Sequence, residues 1–275
     1  MLGDVVDLLH CPHCGGEFAL DAAGVTCRQG HHFDVARQGH LNLLRGPAGA
    51  NADTAAMVAA RAEFLMTDHY GPIASLVADA AVGDVAVEVG AGTGYYLQHV
   101  LDRLGPSSRG IATDVSAYAC RRSAKGPRIG AIVADTWAGL PIADGVADTV
   151  LAVFAPRNPG EFARICAAGG LVLVVTPVAD HLAEVRRTRA LMDIEDDKHS
   201  RLTASMSALF AHRESRLLRY DLELSPHEVD LLVGMGPNAF HADASEASGT
   251  ADPAPIRTVA SVRLDIFEPL GHREV

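Results

Sequence analysis

The sequence predicts an α/β fold with a mostly parallel, doubly wound sheet of seven strands, preceded in the chain by a small metal-binding domain. Three observations predict it. From residue 85 onward, apolar β-branched segments alternate with helical ones, which is typical of a parallel sheet. The first such strand runs directly into a glycine-rich turn. Three of the five cysteines lie within residues 11–27.

Composition excludes several classes of protein. The chain has 275 residues, of which 48% are hydrophobic and 21% charged, and this balance excludes a wholly disordered chain. No apolar stretch approaches the roughly 20 residues that span a bilayer, and the acidic N-terminus lacks the features of a signal peptide. An odd number of cysteines favours a reducing compartment. We therefore expect a cytoplasmic protein with no membrane partner.

Residues 11–31 contain a metal-binding pattern, C-x2-C-x12-C-x3-H. Its ligands are Cys11, Cys14, Cys27 and His31. Three thiolates and one imidazole surround a soft dication such as Zn2+ and leave no open position, so the metal is expected to be structural. His32 is the alternative fourth ligand, and the spacing favours His31. A disulfide or chance clustering is the alternative for the cysteines.

Gly and Pro residues mark the end of this module. We expect residues 1–45 to form a zinc-binding ribbon domain, residues 46–54 a linker, and residues 55–275 the α/β domain. Asp53 or Thr54 can cap the first helix of that domain, and a second helix is expected near 73–80. Tyr70 lies in the break between them, either as a core edge or as a ligand contact.

The clearest ligand-binding signal follows the predicted strand at 85–89. The turn reads G-x-G-x-G, with glycines at Gly90, Gly92 and Gly94, and a helix is expected over 95–104. The missing side chains let a ligand approach the backbone at the carboxyl end of the strand. Glu88, two residues before the first glycine, is expected at the same site.

Two further strands end in polar residues where ligands of open α/β sheets bind. Asp114 follows the strand at 110–113 and lies 20 residues beyond Gly94, where a carboxylate can accept hydrogen bonds from both ribose hydroxyls. Helix capping is its alternative role. Asp135 and Trp137 follow the strand at 129–133 and could flank an adenine with a polar edge and an aromatic face. Core packing is the alternative for Trp137.

The remaining chain completes the sheet. Strands are expected at 149–153 and 171–175, helices over 179–213, a capping box at 225–228, a polar loop over 243–255 and a last strand at 258–267. The glycine order differs from the G-x-G-x-x-G of dinucleotide-binding proteins, and no hydride-handling residues are evident. We therefore interpret the fold as a Rossmann-like, S-adenosylmethionine-dependent methyltransferase rather than a nicotinamide enzyme.

Four segments together resemble a known family. They are residues 31–44, the break at 69–70, the turn at 89–96, and Thr176–Pro177 followed by 181–182. A zinc ribbon in front of a methyltransferase sheet with these segments resembles the RlmA family of 23S rRNA guanine-N1 methyltransferases. That family includes actinobacterial members that confer tylosin-type macrolide resistance.

The resemblance implies a methyl donor contacted by Tyr70, Tyr96, Leu97 and His181, with Asp114 on its ribose, and zinc on the four ligands already named. It also implies a homodimer whose zinc modules help to grip a hairpin loop of 23S rRNA near the peptide exit tunnel. The acceptor would be N1 of a guanine. No DNA partner is expected.

The sequence leaves the catalytic residue open. Asp135, His181 and the backbone carbonyls after Phe154 are candidates for accepting the guanine proton. The formal net charge of −11 means that any RNA-binding surface must be local, and basic residues cluster at 121–128 and 186–189. The alternatives are a small-molecule methyltransferase of secondary metabolism and a non-catalytic zinc-ribbon RNA-binding protein with a relic donor pocket.

Overall fold

The computed structural model describes residues 2–47, 49, 52–189, 191, 198–236 and 254–271. Most of the polar loop expected over 243–255 lies outside these residues. Within them, no helix is long and apolar enough to cross a membrane.

The N-terminal module is a small antiparallel ribbon. Two short 3-10 helices, Leu2–Asp4 and Val6–Leu8, precede three strands, β1 (Phe18–Leu20), β2 (Val25–Cys27) and β3 (His32–Phe33), which pair in the order β1-β2-β3. Its interior is small. Val25 is fully buried, and the ring of Phe18 meets that of Phe33 edge-on at 5.6 Å. Burial of so little apolar area contributes little free energy of folding, and a bound metal would add to it.

The rest of the described chain alternates helices and strands. The helices are α1 (Ala55–Met66), α2 (Gly71–Ala78), α3 (Tyr95–Leu104), α4 (Ala117–Ser123), α5 (Pro159–Ile165), α6 (Ala183–Thr188), α7 (Lys198–Met206) and α8 (Pro226–Gly234). The strands are β4 (Leu41–Asn42), β5 (Val85–Val89), β6 (Arg109–Asp114), β7 (Ile129–Val133), β8 (Ala147–Val153), β9 (Cys166–Pro177), β10 (Phe210–Leu224) and β11 (Ile256–Pro269).

The main sheet has the order β10-β11-β9-β8-β5-β6-β7-β4. Strands β4 to β9 run parallel, whereas β11 pairs antiparallel with both β9 and β10. All six strands that the sequence located are present, β10 supplies a seventh that begins in a segment expected to be helical, and β4 adds an eighth. Apolar clusters cover both faces of the sheet. The chain order reverses at β5, so the crevice at its carboxyl end is the expected ligand position.

The ribbon is joined to the main sheet at two places. Where the chain enters it, Leu9 bridges Ile142, and the N–H of Ala143 donates to the carbonyl of Leu8 at 2.9 Å. Where the chain leaves it, Leu41 in β4 pairs with Ile132 in β7. The linker expected at 46–54 therefore follows residues that already belong to the main sheet. The division into domains at residue 45 stays a prediction.

One secondary-structure prediction was wrong. The helical segment expected to reach residue 213 ends earlier, since β10 begins at Phe210. Arg213, Glu214 and Arg216 lie on this edge strand, where exposed charges discourage pairing with another chain. The capping box is confirmed: Ser225 caps α8, and Glu228 bonds back to its N–H at 2.7 Å.

Candidate functional site

The predicted metal ligands converge in the structure. The Nδ1 atom of His31 lies 3.6 Å from Sγ of Cys11 and 3.4 Å from Sγ of Cys27. Sγ of Cys14 lies 3.6 Å from Sγ of Cys27. All four ligand atoms fall within 4.8 Å of one another. Bonds of about 2.0–2.3 Å to a tetrahedral Zn2+ separate its ligands by roughly 3.3–3.8 Å, so this donor set fits zinc.

Two tight turns present the ligands. The N–H of Gly15 donates to the carbonyl of Cys11, and that of Gly30 to the carbonyl of Cys27, each at 2.8 Å. Both glycines have positive φ, which a side chain would strain. Burial works to raise the pKa of the Cys27 thiol, but backbone N–H groups that bond the sulfur outweigh it and lower the pKa to about 6. A thiolate is the form that a metal binds.

His32 does not join the cluster. Its Nδ1 lies 2.8 Å from Oγ1 of Thr26, and its Nε2 lies 3.5 Å from the carboxylate of Asp34. The structure therefore brings His31, and not His32, to the three cysteines.

The glycine turn has the backbone that its sequence predicts. Gly90, Gly92 and Gly94 all have φ values between 53° and 75°. A Cβ on Gly90 would lie 2.7 Å from Cβ of Ala155, so only glycine fits between β5 and the end of β8. The turn thereby exposes backbone at the carboxyl end of β5, beside the first turn of α3.

Asp114 closes one side of this turn. Its Oδ2 accepts the N–H of Gly92 at 2.9 Å, and its Oδ1 accepts the N–H of Ser116 at 2.8 Å. Burial raises the pKa of this carboxyl, although both N–H groups act to lower it. The acid lies at the end of β6 in contact with the backbone that a nucleoside would approach, and this placement fits a donor with a ribose.

Glu88 lies beneath the turn. Its side chain is 1% exposed, and its Oε2 accepts the N–H of Leu97 at 3.1 Å. Burial raises its pKa to about 8, with the nearby Asp114 carboxylate adding to the effect, so the group is protonated at neutral pH. Tyr96 and Leu97 are buried on α3. A direct donor contact from these three residues stays a prediction.

Three rings meet at the carboxyl ends of β8 and β9. Nε2 of His181 lies 3.4 Å from the hydroxyl of buried Tyr70, and the ring of Phe154 lies 5.9 Å from that of His181. The N–H of Ser261 donates to Nδ1 of His181 at 3.1 Å, so the neutral ring carries its proton on Nε2. Burial, with Arg186 adding to it, lowers the pKa of His181 to about 4. His181 is therefore neutral at physiological pH.

Asp135 and Trp137 lie together in the loop after β7. Oδ1 of Asp135 accepts the N–H of Trp137 at 2.9 Å. The indole side chain is 66% exposed, so core packing, its alternative role, does not apply. The side-chain amide of Asn158, at the start of α5, donates to the carbonyl of Thr136 and joins this loop to the segment after β8.

Sequence reasoning missed two contributors to the site. Arg61 on α1 pairs with Asp53, and its Nη1 lies 3.1 Å from where a Cβ on Gly92 would be. It is the only basic residue in α1, and that isolation was the available signal. Phe154 has a φ of +53°, which non-glycine residues rarely adopt, and such strain is common at functional sites.

Comparison with known proteins bears on both modules. The family model described as the N-terminal zinc ribbon of RlmA matches residues 9–48. A 23S rRNA (guanine(748)-N(1))-methyltransferase of Streptomyces fradiae is 42% identical over 254 residues, covering 90% of each chain. A Micromonospora griseorubida protein, provisionally named as a 23S rRNA (guanine-N(1)-)-methyltransferase, is 41% identical over 97% of this chain and 99% of its own.

The fold also has solved counterparts. A methyltransferase in complex with the Haloferax volcanii Trm112 activator aligns with a TM-score of 0.54 and 16% identity, covering 80% of this chain and 99% of that one. At this identity the likeness concerns the fold alone.

Proposed function

Because the chain belongs to the family of 23S rRNA (guanine-N1) methyltransferases with an RlmA-type zinc ribbon, we propose that it methylates N1 of a guanine in 23S rRNA. One observation carries the proposal: a Cys3His centre and a glycine turn closed by Asp114 occur in a chain that matches such an enzyme over nine tenths of both lengths. These full-length matches do not favour the small-molecule or non-catalytic alternatives. Position 748, named for the Streptomyces fradiae relative, is the first guanine to examine.

The donor side of the site uses the carboxyl ends of β5, β6 and β7. S-adenosylmethionine, when bound, supplies an electrophilic methyl group. The glycine turn would lie against it, Asp114 would accept hydrogen bonds from the ribose hydroxyls, and Asp135 and Trp137 would flank the adenine. Tyr70, Tyr96, Leu97 and His181 would complete the pocket, as the family resemblance implies, and Glu88 would hold the turn from below.

The acceptor side uses the carboxyl ends of β8 and β9. Guanine N1 loses a proton as its bond to the methyl group forms, so an acceptor must lie there. Asp135 lies in the loop after β7, which the side-chain amide of Asn158 joins to the segment after β8, and its Oδ1 already accepts the N–H of Trp137. His181 has Nδ1 occupied and Nε2 protonated. We therefore favour the backbone carbonyls after Phe154 as hydrogen-bond acceptors that orient the N1–H group, with the ring of Phe154 against the base and the released proton passing to solvent water.

The remaining assignments come from the family. We place the enzyme in the cytoplasm as a homodimer whose zinc modules grip a hairpin loop near the peptide exit tunnel, with macrolide resistance as a consequence of methylation. Zinc itself takes no part in methyl transfer, since its four ligands leave no open position.

Primer extension on 23S rRNA tests the proposal. A methyl group on guanine N1 blocks base pairing and stops reverse transcriptase, so RNA from cells that express the gene should give a stop that RNA from cells without it lacks. The same stop should form in vitro when purified protein and donor are added to unmodified rRNA. A stop that is independent of the protein would contradict the function, and methylation of a small molecule alone would favour the secondary-metabolite alternative.

A further inference from the structure

Three neighbouring cations lie at and just beyond the C-terminal end of α4. Arg121, Arg122 and Lys125 are exposed, and within the described ranges none of them forms an ion pair or a side-chain hydrogen bond. Most other described arginines lie against a carboxylate. Arg128, close by in sequence, pairs with Asp102 and donates to backbone carbonyls. Arg37 and Arg187 are also exposed without an ion pair among the described residues, but each is separate in sequence from other such cations, whereas three lie together at the C-terminal end of α4.

These cations border an open groove between α1 and α4. The groove has a volume of about 440 Å3, and its apolar wall includes Met66 and Tyr118. Both side chains are well exposed, at 78% and 53%. An exposed aromatic beside unpaired cations is the combination that binds single-stranded nucleic acid, since bases stack on the ring while phosphates contact the charges.

The groove continues toward the donor site. A second groove, of about 510 Å3, shares Ala55 and Tyr118 with the first and is lined by Asp53 and Ser116. Ser116 donates its N–H to Asp114, and Asp53 pairs with Arg61, which faces Gly92. The second groove therefore ends beside residues that contact Asp114 and the glycine turn.

The same C-terminal end of α4 also meets the chain where it leaves the ribbon. A Cβ on Gly39 would lie 4.0 Å from Cβ of Ala124, at the end of α4, and the charge of Arg121 acts on His40. The cationic end of α4 thus lies between the N-terminal module and the donor turn.

From this placement we propose that the α1–α4 groove, with Arg121, Arg122 and Lys125, is the surface on which the methyltransferase domain docks the rRNA substrate, with Tyr118 stacking on an unpaired base. The inference rests on the proposed function, because RNA is the polyanion that this function brings to the site. The groove holds the loop strand while its target guanine reaches the ends of β8 and β9.

The test uses full-length, zinc-loaded protein and a fragment of 23S rRNA that carries the target loop. The variant R121A/R122A/K125A is compared with R213A/R216A/R219A, which removes three arginines from β10 and lowers the net charge equally. We expect the α4 variant to bind RNA at least about tenfold more weakly. The slope of log K against log salt should fall by about 2, as expected for three lost contacts at ~0.7 each.

Three further measurements make the result specific. Calorimetric affinity for S-adenosylmethionine and zinc content should match wild type in both variants. Y118A should weaken RNA binding about fivefold or more, while Y118F retains it. The proposal would be overturned if the α4 variant kept the RNA affinity and salt slope of the wild type. The same holds if the substitutions changed only the oligomeric state or thermal stability and left RNA binding intact.

The two hypotheses fail differently. Wild-type protein that binds the donor but leaves 23S rRNA unmodified contradicts the proposed function, and the docking surface with it. Wild-type methylation with an equally active α4 variant contradicts the docking surface alone.

Discussion

The backbone N–H of Gly92 donates to Oδ2 of Asp114 at 2.9 Å, and this bond joins the turn after β5 to the end of β6. The acid that would bind a ribose is therefore oriented by the same glycine turn that would contact the rest of the donor. Because both oxygens of Asp114 already accept a backbone N–H, the carboxylate cannot rotate without breaking one of these bonds.

Replacing Asp114 by Ala should weaken S-adenosylmethionine binding by roughly 100-fold or more, since two hydrogen bonds to a charged acceptor contribute about 1.5–3 kcal/mol each. Isothermal titration calorimetry measures the donor affinity. The control is D102A, because Asp102 is an exposed acid on α3. Zinc content should not change. Wild-type donor affinity in D114A would show that the ribose assignment is wrong.

Replacing His31 by Ala should remove the metal, whereas H32A should keep it, because only His31 lies among the three cysteines. Zinc content after dialysis against a chelator distinguishes them. The zinc affinity of H31A should fall by more than the ~10–100-fold that removing a residue in contact with a metal ligand causes. If H32A were the variant that lost zinc, the fourth ligand would have been misassigned.

The contribution of Glu88 should make stability fall as pH rises between about 4.5 and 8, whereas that of His181, whose pKa is lowered to about 4, acts in the opposite direction below about 6.5. The pKa of Glu88 is raised to about 8 in the fold, so the unfolded chain loses this proton first, and the folded state loses up to about 1.4 kcal/mol per pH unit in that window. E88Q keeps an oxygen for Leu97 and cannot ionise. In urea denaturation its stability relative to wild type should therefore grow from pH 5 to pH 8, and a constant difference would contradict the raised pKa.

Replacing Phe154 by Ala should slow RNA methylation about tenfold or more while donor affinity stays within about threefold, because the partly exposed ring lies at the acceptor end of β8. F154Y retains a ring and should retain most of the activity. Single-turnover rates and donor calorimetry separate the two effects. A parallel loss of donor affinity would place Phe154 on the donor side instead.

Local patterns predicted the parts of this fold that depend on neighbours in sequence. The strand at 129–133 agrees to the residue, the glycine turn has the expected positive φ values, and Thr54 caps α1 as one of the two expected residues. Each depends on backbone preferences or apolar periodicity within a few residues.

The features that were missed depend on tertiary packing. Arg61 faces Gly92 only because α1 packs across the turn, and no spacing in the sequence encodes that contact. The pairing of Leu41 with Ile132 involves a two-residue strand, too short for any periodic signal. Phe154 adopts positive φ because the surrounding structure holds it there, which local preference opposes.

The double attachment of the ribbon has a mechanical consequence. Its entry and exit segments are both hydrogen-bonded to the main sheet, at residues 8–10 and 41–43. The distance between the metal and the methyl-transfer centre is thus fixed by backbone geometry and does not vary with the length of the segment after residue 45. A change in the length of that later segment would therefore leave the ribbon in place against the sheet.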